Sequence, residues 1–172
     1  MKELTLPLSK QTVKELKVGD SVLISGTIMT ARDCAHKRLF SLLDGNKPLP
    51  FDLKDAVIYY AGPCPAKPEQ PSGSCGPTTS ARMDVFAPRL LNLGLGAIIG
   101  KGEMCEEVRI ALKDSVSVYF AAIGGAGALY GNAILKSECI AFPDLLSEAV
   151  YKLEVKDFPA VVAFDCHGGS IY

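Results

Sequence analysis

The 172-residue sequence predicts an α/β domain with a mixed sheet, on three observations. Short β-branched, apolar runs alternate with segments of helical periodicity through the middle of the chain, the pattern of strand and helix packed in layers. Strand signals crowd toward both ends, so the sheet is expected to hold strands of both directions. A chain with 48% hydrophobic and 22% charged residues can bury one core, and a single domain over 1–172 is expected.

The elements follow in order. ELTL at 3–6 reads as a short strand, and Ser9 as a helix N-cap, with Leu8 and Val13 placed as a hydrophobic staple. VGD at 18–20 turns the chain. SVLISGTIMT at 21–30 puts Val22, Ile24 and Ile28 on one face of a strand. In ARDCAHKRLFSLLDG, Ala35, Leu39, Leu42 and Leu43 recur at helical spacing, and Gly45 stands at the C-cap. DAVIYYAG at 55–62 is a strand that empties into PCPAKPEQPSGSCGP, a Pro/Gly/Ser-rich loop with folded sequence on both sides. TSARMDV is expected to be a short helix ending before Pro88, and PRLLNLG a second helical turn closed by Gly94. AIIGKG at 97–102 is a buried strand. EMCEEVRIALKD is a helix carrying Glu103, Glu106 and Glu107 in its first turns, where the macrodipole favours acids. VSVYFAA is a strand, GGAGALYGNAI a glycine-rich turn into a short helix, and ILKSECIAF a strand. LSEAVYKLEV is expected to start as helix, and PAVVAFDCHGGSIY to close with a strand, a turn at Gly168 and Gly169, and a short final strand.

Charge narrows the function classes. Eighteen basic and nineteen acidic residues, interspersed, give a net charge of −1 and no electrostatic footprint for nucleic acid or an anionic membrane. Anion recognition must then be local. Apolar runs such as AVVAF at 160–164 are far short of a bilayer span and MKELTLPLSK has no signal-peptide core, so a cytosolic protein is expected. The six cysteines, Cys34, Cys64, Cys75, Cys105, Cys139 and Cys166, lie 11 or more residues apart. That spacing forms no CxxC pair and argues against a metal or cluster ligand set within this chain.

Three cations share a topological address. Arg32 follows the strand at 21–30, Lys101 follows the strand at 97–100, and Arg82 lies in the helix opened by GPTT. Ligands of open α/β sheets bind beyond the carboxyl ends of the strands, and three cations there suit a dianionic small molecule. Arginine offers a planar fork for a carboxylate and lysine a point charge. Thr78 precedes Arg82 by four residues, so a helix starting at Thr78 places both on one face. Its hydroxyl then suits proton transfer beside cations, and equally a plain N-cap. Arg32 and Lys101, taken singly, also read as exposed charges, Lys37 and Arg38 as a solvated helix face. His36, four residues from Arg32, is either an assisting group or a structural histidine; His167 reads as a surface residue. GGAG at 124–127 lacks the full pattern of a phosphate-binding loop.

TARDCAHKRL at 30–39, GPTTSARMD at 76–84, IIGKGEM at 98–104 and GGAGAL at 124–129, in that order, resemble the β subunit of class I fumarate hydratase. The same unit forms the C-terminal domain of single-chain enzymes of that family and is shared with L-tartrate dehydratase. The similarity runs from LTLPLS to LEVKDFPAVVAFD, essentially the whole chain. The resemblance implies a swivelling β/β/α domain and reversible hydration of fumarate to L-malate. It implies a 4Fe-4S cluster ligated by the α subunit and not by this chain, so that the partner is a cluster-bearing α subunit and no metal ligand is expected here. It also implies that Arg32, Arg82 and Lys101 bind the substrate carboxylates and that Thr78 is the hydroxyl beside the reacting carbon, with His36 a weaker assistant. L-tartrate as substrate, and a dicarboxylate-binding module without chemistry, are the alternatives.

Overall fold

A computed structural model describes Met1–Tyr172. Its elements are β1 (Lys2–Thr5), α1 (Lys10–Glu15), β2 (Ser21–Thr30), α2 (Asp33–Asp44), β3 (Val57–Tyr59), α3 (Ala87–Asn92), β4 (Ala97–Gly100), α4 (Glu106–Ser115), β5 (Val118–Ala121), α5 (Gly127–Asn132), β6 (Ile134–Ala141) and β7 (Val150–Phe164). Short 3₁₀ segments occupy Ser80–Met83 and Pro143–Glu148.

The strands run in the order β1-β2-β3-β4-β5-β7-β6, and an additional β2–β7 pairing closes β2, β3, β4, β5 and β7 into a five-stranded barrel. Strands β2 to β5 are mutually parallel; β7 is antiparallel to both β2 and β5. The expected mixed α/β sheet is therefore present, and it is closed. Strand β7 pairs with β2 from Lys152 to Val161 along one edge, and with β6 and then β5 along the other.

Two-residue periodicity divides the apolar residues between two cores. Val57 and Tyr59 of β3, Ala97 and Ile99 of β4, and Val118 and Phe120 of β5 face the barrel interior with Val22, Ile24 and Ile28 of β2 and Phe158 and Val162 of β7. Ile58, Tyr60, Ile98 and Tyr119 face outward, where Ala35 and Leu39 of α2, Leu90 and Leu91 of α3, and Val108 and Leu112 of α4 cover them. Helices thus lie over the outer face of the parallel strands. Their N-termini, and the loops feeding them, are gathered at the strands' carboxyl ends.

Local signals account for several boundaries. Ser9 caps α1 by accepting the Thr12 amide, and Leu8 and Val13 are both buried in the first core. Gly45 caps α2, and Gly94, at φ +113°, follows the last turn of α3 in the left-handed region that favours glycine. Glu106 and Glu107 occupy the first turn of α4, but Glu103 precedes the helix. The expected helical start of LSEAVYKLEV is the end of the 3₁₀ segment, which stops at Glu148; 150–155 then belongs to β7, where Leu153 and Val155 alternate into the barrel. One expectation is corrected. No final strand forms beyond a single bridge between Phe164 and Ser170, since Asp165 takes the amides of His167 and Gly169 and holds that stretch in a turn.

The Phe158 ring stacks on Tyr130 at 4.6 Å and meets Tyr59 edge-on at 5.2 Å in the barrel core. Phe158→Ala is expected to cost about 3–5 kcal/mol of stability in urea unfolding, against about 0.5 kcal/mol or less for the exposed Leu135→Ala.

Candidate functional site

The site is built by one segment laid across the carboxyl ends of two strands. After β3 the chain leaves through the proline-rich loop and returns at Gly76. Pro77 bridges Ala61, the Thr78 amide donates to the Tyr60 carbonyl at 2.7 Å, and Thr79 bridges Lys101. Thr78 therefore lies between two isolated bridges, outside any helix, and the helical turn begins at Ser80 with the extended Thr79 at its N-cap position. The expectation of a helix opening at Thr78 is corrected, and so is the N-cap reading of its side chain. The hydroxyl is instead engaged by Arg82, whose Nη2 donates to Thr78 Oγ1.

A continuous line of contacts joins the predicted residues. Arg32 stands at the junction of β2 and α2, at the N-cap position, with its Nε buried and without a hydrogen-bond partner. Glu148 lies 3.9 Å away. The next residue, Asp33, sits 3.4 Å from Arg82, with the two side chains 30% and 48% exposed, so the pair orients Arg82 without neutralising it strongly. Arg82 holds Thr78, the neighbouring Thr79 is paired with Lys101, and Lys101 forms no ion pair. Three cations face two carboxylates, leaving local positive charge at a sheet end. Arg32, Arg82, Thr78 and Lys101 are thus brought to one edge of the barrel.

The other charged candidates fall elsewhere. Arg38 pairs with Asp144 and lies over the Phe142 ring, so it is an anchored surface group; Lys37 is exposed. His167 is exposed, with Nε2 at 2.8 Å from the Lys14 carbonyl. His36 lies in the second core, stacked on Phe86 at 5.2 Å and edge-on to Tyr60 at 5.4 Å. Its Nδ1 is 2.8 Å from the Arg32 carbonyl; a carbonyl only accepts, so Nδ1 carries the proton and Nε2 is left as a buried lone pair without a partner. Burial pulls its pKa down to about 4, against smaller upward contributions from the Arg32 carbonyl and Asp33. The ring is neutral at physiological pH and is tied to the backbone of Arg32.

Three residues that carry the geometry were not singled out in the sequence, and two of them have no charge to advertise them. Ser80 is fully buried under Lys101, and Gly124 admits the lysine: a Cβ there would stand 2.7 Å from Lys101 Cδ; the third, the carboxylate Asp33, holds Arg82. GGAG is therefore a surface of close approach. Gly127 packs its backbone against Gly76, and the Cys75 amide donates to its carbonyl at 3.0 Å. Cys75 itself is buried in the barrel core, where burial pushes its thiol up to about 12. Asp84, at the end of GPTTSARMD, accepts the Cys105 amide at 3.0 Å and so supports the start of α4.

None of the five main cavities is lined by Arg32, Thr78, Arg82 or Lys101. The largest, about 550 Å³ between the proline-rich loop and β6, lies to one side. The cation-bearing edge is open. No three His, Cys, Asp or Glu side chains converge as a metal-ligand set, and no helix is long and apolar enough to cross a membrane.

A family model described as Fumarase C-terminus matches residues 2–172. The chain belongs to the fumarase C-terminus family. Among relatives of this fumarase C-terminus chain, a Methanocaldococcus jannaschii protein with the provisional name L(+)-tartrate dehydratase subunit beta is 45% identical over 171 residues, covering 96% of this chain and 88% of that protein. The anaerobic class I fumarate hydratase of Escherichia coli is 38% identical over 100% of this chain but 31% of its own length. Fumarate hydratase 2 of Leishmania major is 38% identical over 99% and 31%, respectively. The chain therefore spans about a third of the fumarate hydratases and most of the dehydratase subunit.

The buried His36 gives the fumarase C-terminus fold a defined acid response. Its pKa falls from 6.5 to about 4 on folding, so the unfolded chain takes up the proton first as pH drops. Stability is then undiminished above pH 6.5 and is lost as pH falls toward 4, by about 3 kcal/mol in all. His36→Phe keeps the stacking and removes the titration. The difference in unfolding free energy between pH 7 and pH 4 is expected to shrink by about that amount in urea titrations of the variant.

Proposed function

We propose that this chain, acting as one domain, is the carboxylate-binding and proton-handling part of a cytosolic hydro-lyase that interconverts fumarate and L-malate. The observation that carries the reading is the Thr78 hydroxyl held by the Arg82 guanidinium at an open cationic sheet edge, with Lys101 joined to the same segment. The family membership supports it.

The chemistry follows from those groups. In dehydration a proton alpha to one carboxylate is removed and hydroxide leaves the neighbouring carbon, the two together making up the water lost. Removing that proton drives negative charge into the carboxylate, where preorganised cations stabilise it more than in the ground state. Arg32, whose one ion-pair partner, Glu148, stands 3.9 Å away, and Lys101, with no ion pair, have charge to offer the two carboxylates. Thr78 is the proposed proton acceptor: the hydrogen bond from Arg82 favours its alkoxide, which takes the proton and releases it to solvent to reset. His36 fits an indirect role better than a proton-carrying one, because its free nitrogen is buried and its protonated nitrogen is spent on the Arg32 carbonyl.

The open edge of cations supports a second component that closes the site. We assign that part to a cluster-bearing α subunit with a 4Fe-4S group. The residues of this chain do not fit as ligands to it: the six cysteines are dispersed from core to surface, and no ligand set forms. The 45% identity to a protein named for L(+)-tartrate dehydratase favours a second reading, with tartrate as substrate and the same carboxylate contacts.

Anaerobic hydration of fumarate by this chain, alone and mixed with a cluster-bearing α subunit, tests the reading. Activity only in the mixture is expected; activity with L-tartrate instead moves the substrate, and none with either leaves a binding module. In the active mixture Thr78→Ala is expected to lower kcat about 100-fold or more with assembly intact. Arg82→Met is expected to raise KM about tenfold or more, and an unchanged KM and kcat would remove Arg82 from the site.

A further inference from the structure

The hydroxyls of Ser80 and Tyr119 lie 3.0 Å apart beneath Lys101, both fully buried. The Lys101 amide donates to Ser80 Oγ at 2.9 Å, and Tyr119 Oη is 2.7 Å from the Gly102 carbonyl. Each hydroxyl has one proton, and the carbonyl can only accept, so the order of donors is determined. Tyr119 gives its proton to Gly102, Ser80 gives its proton to Tyr119, and Lys101 gives its amide proton to Ser80. Burial holds the Tyr119 phenol well above its ordinary pKa, so it remains a donor throughout the physiological range. The chain of three bonds starts and ends on the backbone of residues 101 and 102.

The glycines on either side of the lysine match this clamp. A Cβ on Gly100 would stand 1.9 Å from Ser80 Oγ, so only glycine lets that hydroxyl reach the strand end. Gly102 has φ +81°, the left-handed turn that presents its carbonyl to Tyr119. The Ser80 amide also donates to the Lys101 carbonyl at 2.9 Å, so Ser80 holds both backbone groups of the lysine.

We propose that Ser80 and Tyr119 are positioning residues for the carboxylate-binding Lys101, fixing its backbone so that the ammonium reaches the open edge along one path. This rests on the reading of Lys101 as a substrate-binding residue. Neither hydroxyl touches substrate. Their effect reaches the reaction through where Lys101 is held, and it is therefore expected in KM and to vanish when the lysine charge is absent.

The test has two arms on the 172-residue chain. Amide hydrogen exchange by NMR is expected to show the Lys101 amide exchanging about tenfold or more faster in Ser80→Ala than in the parent, with Ile98 and Ile99 unchanged. Tyr119→Phe, which keeps the ring in the second core, is expected to give a smaller acceleration at the same amide and guards against a Ser80 variant that fails to fold. In the mixture with the α subunit, Ser80→Ala is expected to raise KM for the dicarboxylate about five- to tenfold, but to add nothing in a Lys101→Met background. Unchanged protection of Lys101 in both single variants, or a KM effect fully additive with Lys101→Met, would overturn the proposal. If the parent mixture turns over neither fumarate nor tartrate, the hydro-lyase reading fails, and the exchange arm still decides whether the two hydroxyls fix Lys101.

Discussion

Strand β7 uses both of its edges, and the remaining architecture depends on that double pairing. Its 15 residues are antiparallel to β2 on one side and to β6 and β5 on the other. Without it, β2 and β5 would each keep an unpaired edge, and the inward faces of the parallel strands would lack an enclosed core. Parallel strands ordinarily need helices on both faces. Here α2, α3 and α4 cover the outer face, and curling the sheet onto itself through β7 encloses the other, with Val13 of α1 and Tyr130 of α5 buried in the enclosed core. Closure also aligns four carboxyl ends at one rim, where every proposed functional side chain is found.

The rim is held by backbone more than by charge. Hydrogen bonds continue past the strands: Ala31 to Tyr59, Tyr60 to Ile99, Thr78 to Tyr60 and Ala122 to Gly100. These bonds set the loops, and the loops set the cations. The ion pairs at the site, 3.4 Å and 3.9 Å long with partly exposed partners, are too weak in water to organise it. Weak pairing also suits an anion-binding site, since a cation already neutralised at close range has less to offer an incoming carboxylate.

Much of this was legible in the residues. Strands β2 to β5 followed from β-branched alternation, and Arg32 and Lys101 from their places just after two of them. After the Gly76-Pro77 turn a helical segment does follow, although it begins two residues later than the Thr78–Arg82 spacing suggested. Thr78 and Arg82 still meet, because an extended residue leading into a 3₁₀ turn brings the same two side chains together. What stayed hidden required tertiary contacts. LSEAVYKLEV contains helix formers, and pairing with β6 from Val150 and with β2 from Lys152 overrode them. His36 shares its spacing with Arg32 but turns into the aromatic layer, and nothing local distinguishes that from a solvent-facing ring. Ser80 and Gly124 have no charge, so their importance shows only when the distance to Lys101 is measured.

Gly100, Gly102 and Gly124 come from two different strand ends, yet all three answer to the space or the turn that one lysine requires. They form a mould, in which the absence of side chains is the functional feature. Transplanting the charged residues alone onto another barrel would therefore leave Lys101 with the right charge and no channel to occupy. A faithful graft has to carry the empty positions along with the filled ones, and a record of sequence drift in such a site should show the glycines and the serine changing together or not at all.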